Sequence, residues 1–172
     1  MSKILIVCTG NAARSVIGVA ILRSIAPSLE VRGAGTFSIP GLPMSQRTRE
    51  ALSTLGLSDP QHRSHQLENA DCEWADLILV FESEHAQYIR RHHPEASVIT
   101  GTLPRVAKYL KADVINLSSG ISELGLSEIE IEAWEQVQDP AGGTQDVFNS
   151  CATEINKYVC QLVENINGIS NP

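Results

Sequence analysis

Short apolar runs alternate with longer amphipathic stretches along this chain, and that alternation restricts the possible folds more than any other feature. Continuous apolar runs are typical of buried strands, whereas apolar residues three and four positions apart indicate helices. The pattern predicts strands over residues 4–7, 30–33, 76–81 and 97–99. It predicts helices over residues 14–25, 47–55, 84–92, 103–110 and 144–166. We therefore expect an α/β fold of three layers, with a central parallel sheet of about four strands and helices on both faces.

The length and composition are those of one globular domain, and we treat residues 1–172 as a single domain. Hydrophobic residues make up 42% of the chain and charged residues 19%, which is typical of soluble proteins. The formal charge of −7 disfavours nucleic acids and membrane surfaces as partners. No apolar run approaches the roughly 20 residues of a membrane span, and the one at the N-terminus is too short for a signal peptide. We expect a cytoplasmic protein.

Cysteine usage agrees with that expectation. Cysteines occur at positions 8, 72, 151 and 160, and no two of them form the Cys-x-x-Cys pair of zinc ribbons and thioredoxins. Cys151 and Cys160 share one predicted helix and fall on nearly opposite faces of it, so they should not bond to each other. Free thiols in a reducing compartment are the simplest account.

The segment that carries the chemistry is Val7-Cys8-Thr9-Gly10-Asn11-Ala12-Ala13-Arg14-Ser15, between the first predicted strand and the first predicted helix. Open parallel sheets bind ligands at the carboxyl ends of their strands, and a helix N-terminus offers unpaired N–H groups to an anion. A cysteine at such a place has its reactive thiolate form favoured. Arg14 can hold two oxygens of a phosphoryl group at once. We therefore predict that Cys8 is a nucleophile and that Arg14 binds phosphate.

The other residues of this loop fit the same interpretation. Gly10 permits a close backbone approach, Asn11 tolerates a left-handed conformation, and the Ser15 hydroxyl can donate to the Cys8 sulfur. The competing interpretation is that Cys8 only ends a buried strand and that Arg14 is a surface charge. Nucleotide binding is not indicated, because the Gly-Lys of the usual nucleotide loop is absent.

At this point the chain resembles the low-molecular-weight protein tyrosine phosphatase family, and the resemblance extends beyond the loop. The further segments that resemble the family are Gly33-Ala34-Gly35-Thr36, Gly41-Leu42-Pro43, His62-Arg63-Ser64-His65-Gln66-Leu67, Ala75-Asp76-Leu77-Ile78-Leu79-Val80 and Asp139-Pro140. Together they cover about residues 3–110 and 137–166. The segment 111–136 fits poorly, and we expect it to diverge.

The resemblance implies a mechanism. Cys8 attacks phosphorus and forms a phosphocysteine. Asp139 protonates the leaving oxygen and then helps water to attack the intermediate. The loop residues Thr9, Gly10, Asn11, Ala12, Ala13 and Ser15 complete the phosphate-binding loop, and His62 supports Asn11 from behind. The family needs no metal and no cofactor, and it acts on a phosphorylated protein or a small phosphate ester.

Three positions depart from the family pattern. Many relatives carry a second cysteine where this chain has Ala13, so we expect peroxide to drive Cys8 further along the oxidation ladder. Eukaryotic members place aromatic residues after Asp-Pro, where this chain has Ala141-Gly142. Ala12 is also small where relatives have a larger side chain. The resemblance implies phosphotyrosine as the substrate, but the missing aromatic residues make that specificity less secure than the phosphatase chemistry. Phosphoarginine and small phosphate esters are the alternatives.

Two other functions stay open. Thioredoxin-coupled arsenate reductases share this fold and loop, but they need two further cysteines just after the third strand, where this chain has Phe81-Glu82-Ser83-Glu84. A protein that binds phosphate without catalysis is the other alternative, although the presence of Cys8, Arg14 and Asp139 together argues against it.

The divergent segment lies within a long stretch without basic residues. No Lys or Arg occurs between Lys111 and Lys157. Its acidic residues are Asp113, Glu123, Glu128, Glu130, Glu132, Glu135, Asp139, Asp146 and Glu154. Such runs usually form a solvated face. The alternative is a surface beside the active site that selects basic substrate neighbourhoods.

Overall fold

The computed structural model describes residues 1–169 and has a four-stranded parallel sheet between two layers of helices. The strands are β1 (Lys3–Cys8), β2 (Glu30–Gly35), β3 (Leu77–Val80) and β4 (Thr100–Thr102). The helices are α1 (Arg14–Ile25), α2 (Gln46–Thr54), α3 (Asn69–Trp74), α4 (Ser83–His92), α5 (Leu103–Tyr109), α6 (Leu117–Glu123) and α7 (Gln145–Gly168). Short 3-10 helices occupy Pro94–Ile99, Leu126–Glu128 and Ala133–Glu135. The predicted three-layer α/β architecture is confirmed.

The sheet has the strand order β2-β1-β3-β4, with β1 at its centre. All pairs are parallel. Side chains of β1 alternate between the two faces, as the strand period of two requires. Ile4 and Ile6 join the apolar cluster formed with α1, α2, α5 and α7, while Leu5 and Val7 join the cluster formed with α3 and α4. The central strands β1 and β3 are therefore buried on both faces, which explains their continuous apolar runs.

The predicted strand over 97–99 is wrong. That stretch belongs to the 3-10 helix Pro94–Ile99, and β4 begins only at Thr100. Proline lacks an N–H and fixes φ near its helical value, so Pro94 favours a first helical turn over a strand. The residues that align with β3 are Thr100, Gly101 and Thr102, and they are not a continuous apolar run.

Two further differences concern helices. The helix α3 was not predicted, because six residues with few apolar side chains carry almost no helical periodicity. The segment 111–136, for which no element was predicted, holds α6 and two 3-10 helices. Among the described helices, none has the length and apolar character that crossing a bilayer would require.

The topology brings two strand ends together. The central strand β1 ends at Cys8, and its neighbour β3 ends one residue before Phe81. Carboxyl ends of adjacent parallel strands meet at one edge of the sheet, which is where such folds form their clefts. The loops that follow β1 and β3 therefore line the same edge.

Candidate active site

The loop between β1 and α1 wraps around the Cys8 sulfur. Cys8 is buried, and its Sγ lies 3.0 Å from the Ser15 hydroxyl oxygen. The Asn11 side-chain amide donates to that same hydroxyl oxygen over 2.8 Å. Because this oxygen accepts from Asn11, the Ser15 O–H is free to donate to the Cys8 sulfur. Asn11 has φ of 50°, the left-handed conformation that its residue type tolerates.

Every carbonyl oxygen from residue 8 to residue 13 accepts a hydrogen bond from the surrounding protein. The donors, in chain order, are Thr36 N (2.9 Å), Phe37 N (2.9 Å), Ser38 Oγ (3.1 Å), His62 Nε2 (2.9 Å), Thr48 Oγ1 (2.9 Å) and Ile17 N (2.9 Å). These donors belong to the loop after β2, to α2, to the segment before α3 and to α1 itself. The outside of the loop is thus fixed by partners between residues 17 and 62 of the sequence.

The inside of the loop presents amide donors. In a planar trans peptide the C=O and the N–H point in opposite directions, and the described residues contain no cis peptide. Outward carbonyls therefore direct the following amides inward. Within residues 1–169, no amide from residue 9 to residue 13 donates to a protein acceptor. A row of unpaired amides at a helix N-terminus is suited to a tetrahedral oxyanion.

Close backbone packing explains Gly35, at the end of β2, which belongs to one of the segments that resemble the family. A Cβ on Gly35 would lie 2.5 Å from the Thr9 carbonyl oxygen and 3.0 Å from the Asn11 amide nitrogen. Any side chain at position 35 would displace the loop, so glycine is required there.

Arg14 is 2% exposed, and its guanidinium is held from three directions. Nη1 lies 2.7 Å from Glu82 Oε2 and donates to the Val137 carbonyl oxygen over 2.8 Å. Nη2 lies 3.3 Å from Asp139 Oδ2. A buried guanidinium requires such pairing. These contacts also fix the orientation of the guanidinium plane. Glu82, which follows β3, was not predicted as a site residue.

Asp139 stands at the edge of this arrangement and is 43% exposed on its side chain. Its Oδ1 accepts the Ala141 amide over 3.0 Å. The preceding residues are anchored beside β3, where the Val137 amide donates to the Phe81 carbonyl oxygen over 2.8 Å. The structure thus brings Asp139 against Arg14, although 125 positions separate them in the sequence.

The buried histidine His85 also contacts the loop, and the sequence interpretation had assigned it no role. Its Nδ1 accepts the Glu82 amide over 3.1 Å, so Nε2 carries the proton and donates to Thr9 Oγ1 over 2.9 Å. Burial, reinforced by the nearby Arg14 charge, lowers the pKa of His85 to about 3. This histidine is therefore neutral at physiological pH.

A cation site at this position is disfavoured by the donor chemistry. Ligand atoms of Glu82, Glu84 and His85 lie within 4.8 Å of one another. However, His85 Nε2 carries the proton, and the Glu82 carboxylate already pairs with Arg14. A cation there would have to displace both interactions beside a guanidinium.

His62 lies where the family resemblance suggested, beside Asn11. Its Nε2 contacts the Asn11 carbonyl oxygen at 2.9 Å, and this nitrogen must donate because the carbonyl can only accept. The Asn11 side-chain oxygen accepts the His65 amide over 3.0 Å. Burial lowers the pKa of His62, although the bond to Asn11 acts in the opposite direction.

The four cysteines are free thiols, and the segment directly after β3, Phe81-Glu82-Ser83-Glu84, contains no cysteine. Burial raises the pKa of Cys72 to about 11 and that of Cys151 to about 12. Both therefore stay protonated at neutral pH and are poor nucleophiles. These features give no support to an arsenate-reducing relay.

The acidic stretch is not simply a solvated face. Glu135 is fully buried and receives hydrogen bonds from Thr102 Oγ1 (2.5 Å) and from Arg105 (2.7 and 2.6 Å). Although burial alone would raise the pKa of Glu135, these hydrogen bonds leave it lowered. Glu135 thus clamps the segment that leads to Asp139 onto the end of β4.

Comparison with known proteins gives a consistent result. The sequence profile of the family described as "Low molecular weight phosphotyrosine protein phosphatase" matches residues 3–123. A probable low molecular weight protein-tyrosine-phosphatase, EpsP of Ralstonia nicotianae, is 30% identical over 139 residues, covering 78% of this chain and 94% of the relative. The profile match over residues 3–123 reaches into the segment 111–136, which we expected to diverge, and it ends before Asp139.

A protein-arginine-phosphatase of Geobacillus stearothermophilus is 28% identical over 165 residues, covering 95% of each chain. The solved structure of the YwlE arginine phosphatase from that organism superposes with a TM-score of 0.78, covering 97% of this chain and 94% of the other. This alignment extends the similarity through most of the C-terminal part. The chain therefore belongs to the low molecular weight phosphotyrosine protein phosphatase family, whose members are hydrolases.

Proposed function

We propose that this phosphatase removes phosphate from phosphorylated protein through a covalent phosphocysteine at Cys8. The observation that carries the proposal is the loop itself, in which six outward carbonyls are bound by the protein and the amides of residues 9–13 have no protein acceptor within the described residues. The Cys8 sulfur at one end and the Arg14 guanidinium at the other give this anion site a nucleophile and a charge.

In the first step the Cys8 thiolate attacks phosphorus opposite the leaving group. The S–P bond forms as the P–O bond of the ester breaks, and Asp139 transfers its proton to the departing oxygen. The amides and Arg14 stabilise the charge on the three equatorial oxygens. Ser15, held by Asn11, donates to the sulfur and stabilises its anionic form.

In the second step a water molecule attacks the phosphocysteine. The Asp139 carboxylate accepts a proton from this water, the S–P bond breaks, and inorganic phosphate and the Cys8 thiolate are released. Asp139 suits both steps because it is partly exposed, next to Arg14, and anchored through the Ala141 amide. Its exposure gives the water access.

Two residues position this machinery without contacting the substrate. Glu82 holds Arg14 Nη1, which leaves Nη2 facing Asp139 and the phosphate. His85 holds the Thr9 side chain, and with it the first amide of the loop. Both belong to the segment after β3, so the neighbouring strand supports the loop of β1.

The expected substrate is protein phosphotyrosine, with protein phosphoarginine as the second candidate. One observation favours the second: Asp139-Pro140 is followed by Ala141 and Gly142, which supply no aromatic wall for a phenol ring. A relative aligned over 95% of both chains is named a protein-arginine-phosphatase. In that reaction the P–N bond breaks, and Asp139 protonates the departing guanidine nitrogen.

The remaining parts of the proposal concern context. We infer that residues 1–172 act as one phosphatase domain, since two apolar clusters enclose a single sheet. A reducing cytoplasmic compartment suits the four free thiols. Small phosphate esters are possible additional substrates, and the charge of −7 argues against nucleic acid as a partner.

The test compares phosphotyrosine and phosphoarginine peptides of matched sequence. We expect the wild type to release phosphate from at least one of them and Cys8→Ser to be inactive on both, while Cys160→Ser serves as a thiol control that retains activity. The kcat/KM ratio for the two peptides assigns the substrate class. Phosphate binding by a wild type that hydrolyses neither peptide would support the non-catalytic alternative, and thioredoxin-dependent arsenate turnover would support the reductase.

A further inference from the structure

A second cleft, of about 430 Å³, opens on the Asn11 side of the phosphate-binding loop. Neither Cys8, Arg14 nor Asp139 lines it. Three arginines do, namely Arg23 of α1, Arg32 of β2 and Arg63. We call this site the arginine cleft.

The charge in the arginine cleft contrasts with that of the chain, whose formal charge is −7. Two aspartates also line it, but each faces another partner. Asp59 lies 3.8 Å from Arg23, and Asp71 lies 2.8 Å from His65. Within residues 1–169, neither Arg32 nor Arg63 forms an ion pair. The cleft thus contains two guanidiniums whose charge no carboxylate of the described residues pairs with.

Both of these guanidiniums are held in place by other contacts. Arg32 stacks over the Trp74 ring, with 4.1 Å between its Cζ and the ring centroid. Arg63 Nη1 donates to the His62 carbonyl oxygen over 2.6 Å. Positioned guanidiniums lose little side-chain entropy on binding, and their planar donors match the oxygens of a phosphate.

The floor of the arginine cleft is connected to the nucleophile. His62 and His65 line the cleft, and both donate hydrogen bonds to Asn11. Asn11 in turn donates to Ser15 over 2.8 Å, and the Ser15 oxygen lies 3.0 Å from the Cys8 sulfur. A ligand that shifts His62 therefore acts on the sulfur through Asn11 and Ser15.

We propose that the arginine cleft is a second anion site that binds a phosphate group, either free or carried by a small organic molecule. Arg32 and Arg63 hold the phosphate oxygens. Occupancy changes turnover at Cys8 through His62 and Asn11. Phosphate binding in the cleft does not depend on catalysis at Cys8. Only the effect on turnover rests on the proposed phosphatase function.

Equilibrium dialysis with labelled inorganic phosphate tests the binding. We expect two phosphates per wild-type chain and one for Arg32→Ala/Arg63→Ala, whose cleft affinity falls roughly tenfold or more. Arg14→Ala should also retain one, the phosphate in the cleft. Arg91→Ala/Lys157→Ala removes the same charge from exposed positions outside the cleft and should keep two. A single wild-type site that Arg14→Ala abolishes would overturn the proposal, whereas loss in Arg32→Ala/Arg63→Ala alone supports it even if Cys8 proves inactive.

Two further experiments test whether the cleft binds organic phosphates and whether its occupancy changes turnover at Cys8. Glycerol 3-phosphate, dialysed against Cys8→Ser to prevent hydrolysis, should compete at the cleft if organic phosphates are ligands. Failure to compete limits the site to inorganic phosphate. Saturating p-nitrophenyl phosphate together with added inorganic phosphate fills the cleft whichever form of phosphate it takes, while the ester occupies the Cys8 site. Under that condition kcat should differ about fivefold between wild type and Arg32→Ala/Arg63→Ala, and Arg91→Ala/Lys157→Ala should match wild type. Equal kcat values for wild type and Arg32→Ala/Arg63→Ala would refute the coupling.

Discussion

The two loops of the active site are built in different ways. The phosphate-binding loop, residues 8–15, is one continuous piece that contains the proposed nucleophile Cys8, Arg14 and the amide row. The acid loop, residues 136–143, brings a single group, Asp139, to the same place from a distant part of the chain. Cys8, Asn11, Arg14 and Ser15 of the phosphate-binding loop are buried and its carbonyls are hydrogen-bonded, whereas the Asp139 side chain is 43% exposed.

The difference reflects what each loop must do. An anion site needs several donors in fixed directions before the substrate arrives, because that preorganisation is what stabilises the transition state. A general acid must meet both the leaving group and water, so it needs exposure and a defined distance but not a complete cage. The fold accordingly fixes the phosphate-binding loop along its outer side. It holds the acid loop mainly through the residues that precede Asp139, namely Glu135 and Val137.

The sharpest test of this comparison is the removal of the acid alone. Asp139→Asn should lower kcat by roughly 10²–10⁴-fold on phenyl phosphate, because the leaving group then departs unprotonated. The loss should be much smaller on p-nitrophenyl phosphate, whose leaving group needs no proton. Steady-state kinetics on both esters measure the difference. An equal loss on both would mean that residue 139 supports Arg14 and is not the acid.

The corresponding test of the phosphate-binding loop is Arg14→Lys. This change keeps the charge but removes the planar pair of donors, so kcat/KM should fall by about 10²–10³-fold. The loss should be similar for both esters, because the equatorial oxygens are common to them. A loss of kcat/KM that differs between the two esters would contradict the assignment of different tasks to the two loops.

The clamp of the acid loop is tested by Glu135→Gln. This variant removes the buried carboxylate and leaves Arg105 with only the exposed Glu132 as a charged partner, so the free energy of unfolding should drop by about 3 kcal/mol. At a permissive temperature kcat should fall more than KM changes, because Asp139 is displaced while the phosphate site is intact. The matched control is Glu132→Gln, which removes an exposed partner of the same arginine.

Glu135 also predicts a pH dependence. Its pKa is lowered in the folded state, so its stabilising contribution is present above the ordinary value of 4.5 and is lost as the pH falls through the folded value. Thermal denaturation of wild type should show this acid loss, and Glu135→Gln should show less of it. An equal decrease of thermal stability with falling pH in wild type and Glu135→Gln would contradict this role of Glu135.

The smallest expected effect concerns His85, which supports the phosphate-binding loop from outside. His85→Gln should lower kcat/KM by about tenfold or less, the value of one hydrogen bond to Thr9. The folded pKa of about 3 is below the ordinary 6.5, so wild type loses stability as the pH falls from 6.5 towards 3. His85→Gln should lack that loss, and His92→Gln, which changes an exposed histidine, should retain it.

The same contrast separates what could be predicted from what could not. That Cys8, Asn11, Arg14 and Ser15 lie close together was predictable, because they belong to one turn and the start of its helix, where sequence spacing defines the geometry. The edges of β1 and α1 were predicted within one residue. The strand β4 was misplaced, since Val98 and Ile99 have the same apolar pattern in a 3-10 turn as in a strand.

Glu82, His85 and Glu135 were missed for a different reason. Each looks like an ordinary polar residue, and Glu135 looked like part of a solvated acidic face. Their importance depends on burial next to Arg14, Thr9 and Arg105, residues between 30 and 76 positions away. Spacing patterns carry no information on such contacts.

The sequence by itself determined the alternation of strands and helices and a loop in which a cysteine and an arginine flank a helix N-terminus. Those features are local, because backbone conformation and helix-end donors depend on a few adjacent residues. Only the tertiary structure decided which carboxylates reach Arg14, how the loop carbonyls are held, and that Arg32 and Arg63 line one cleft beside Asn11. These properties arise from burial and distance, which exist only once the sheet has brought separate segments together.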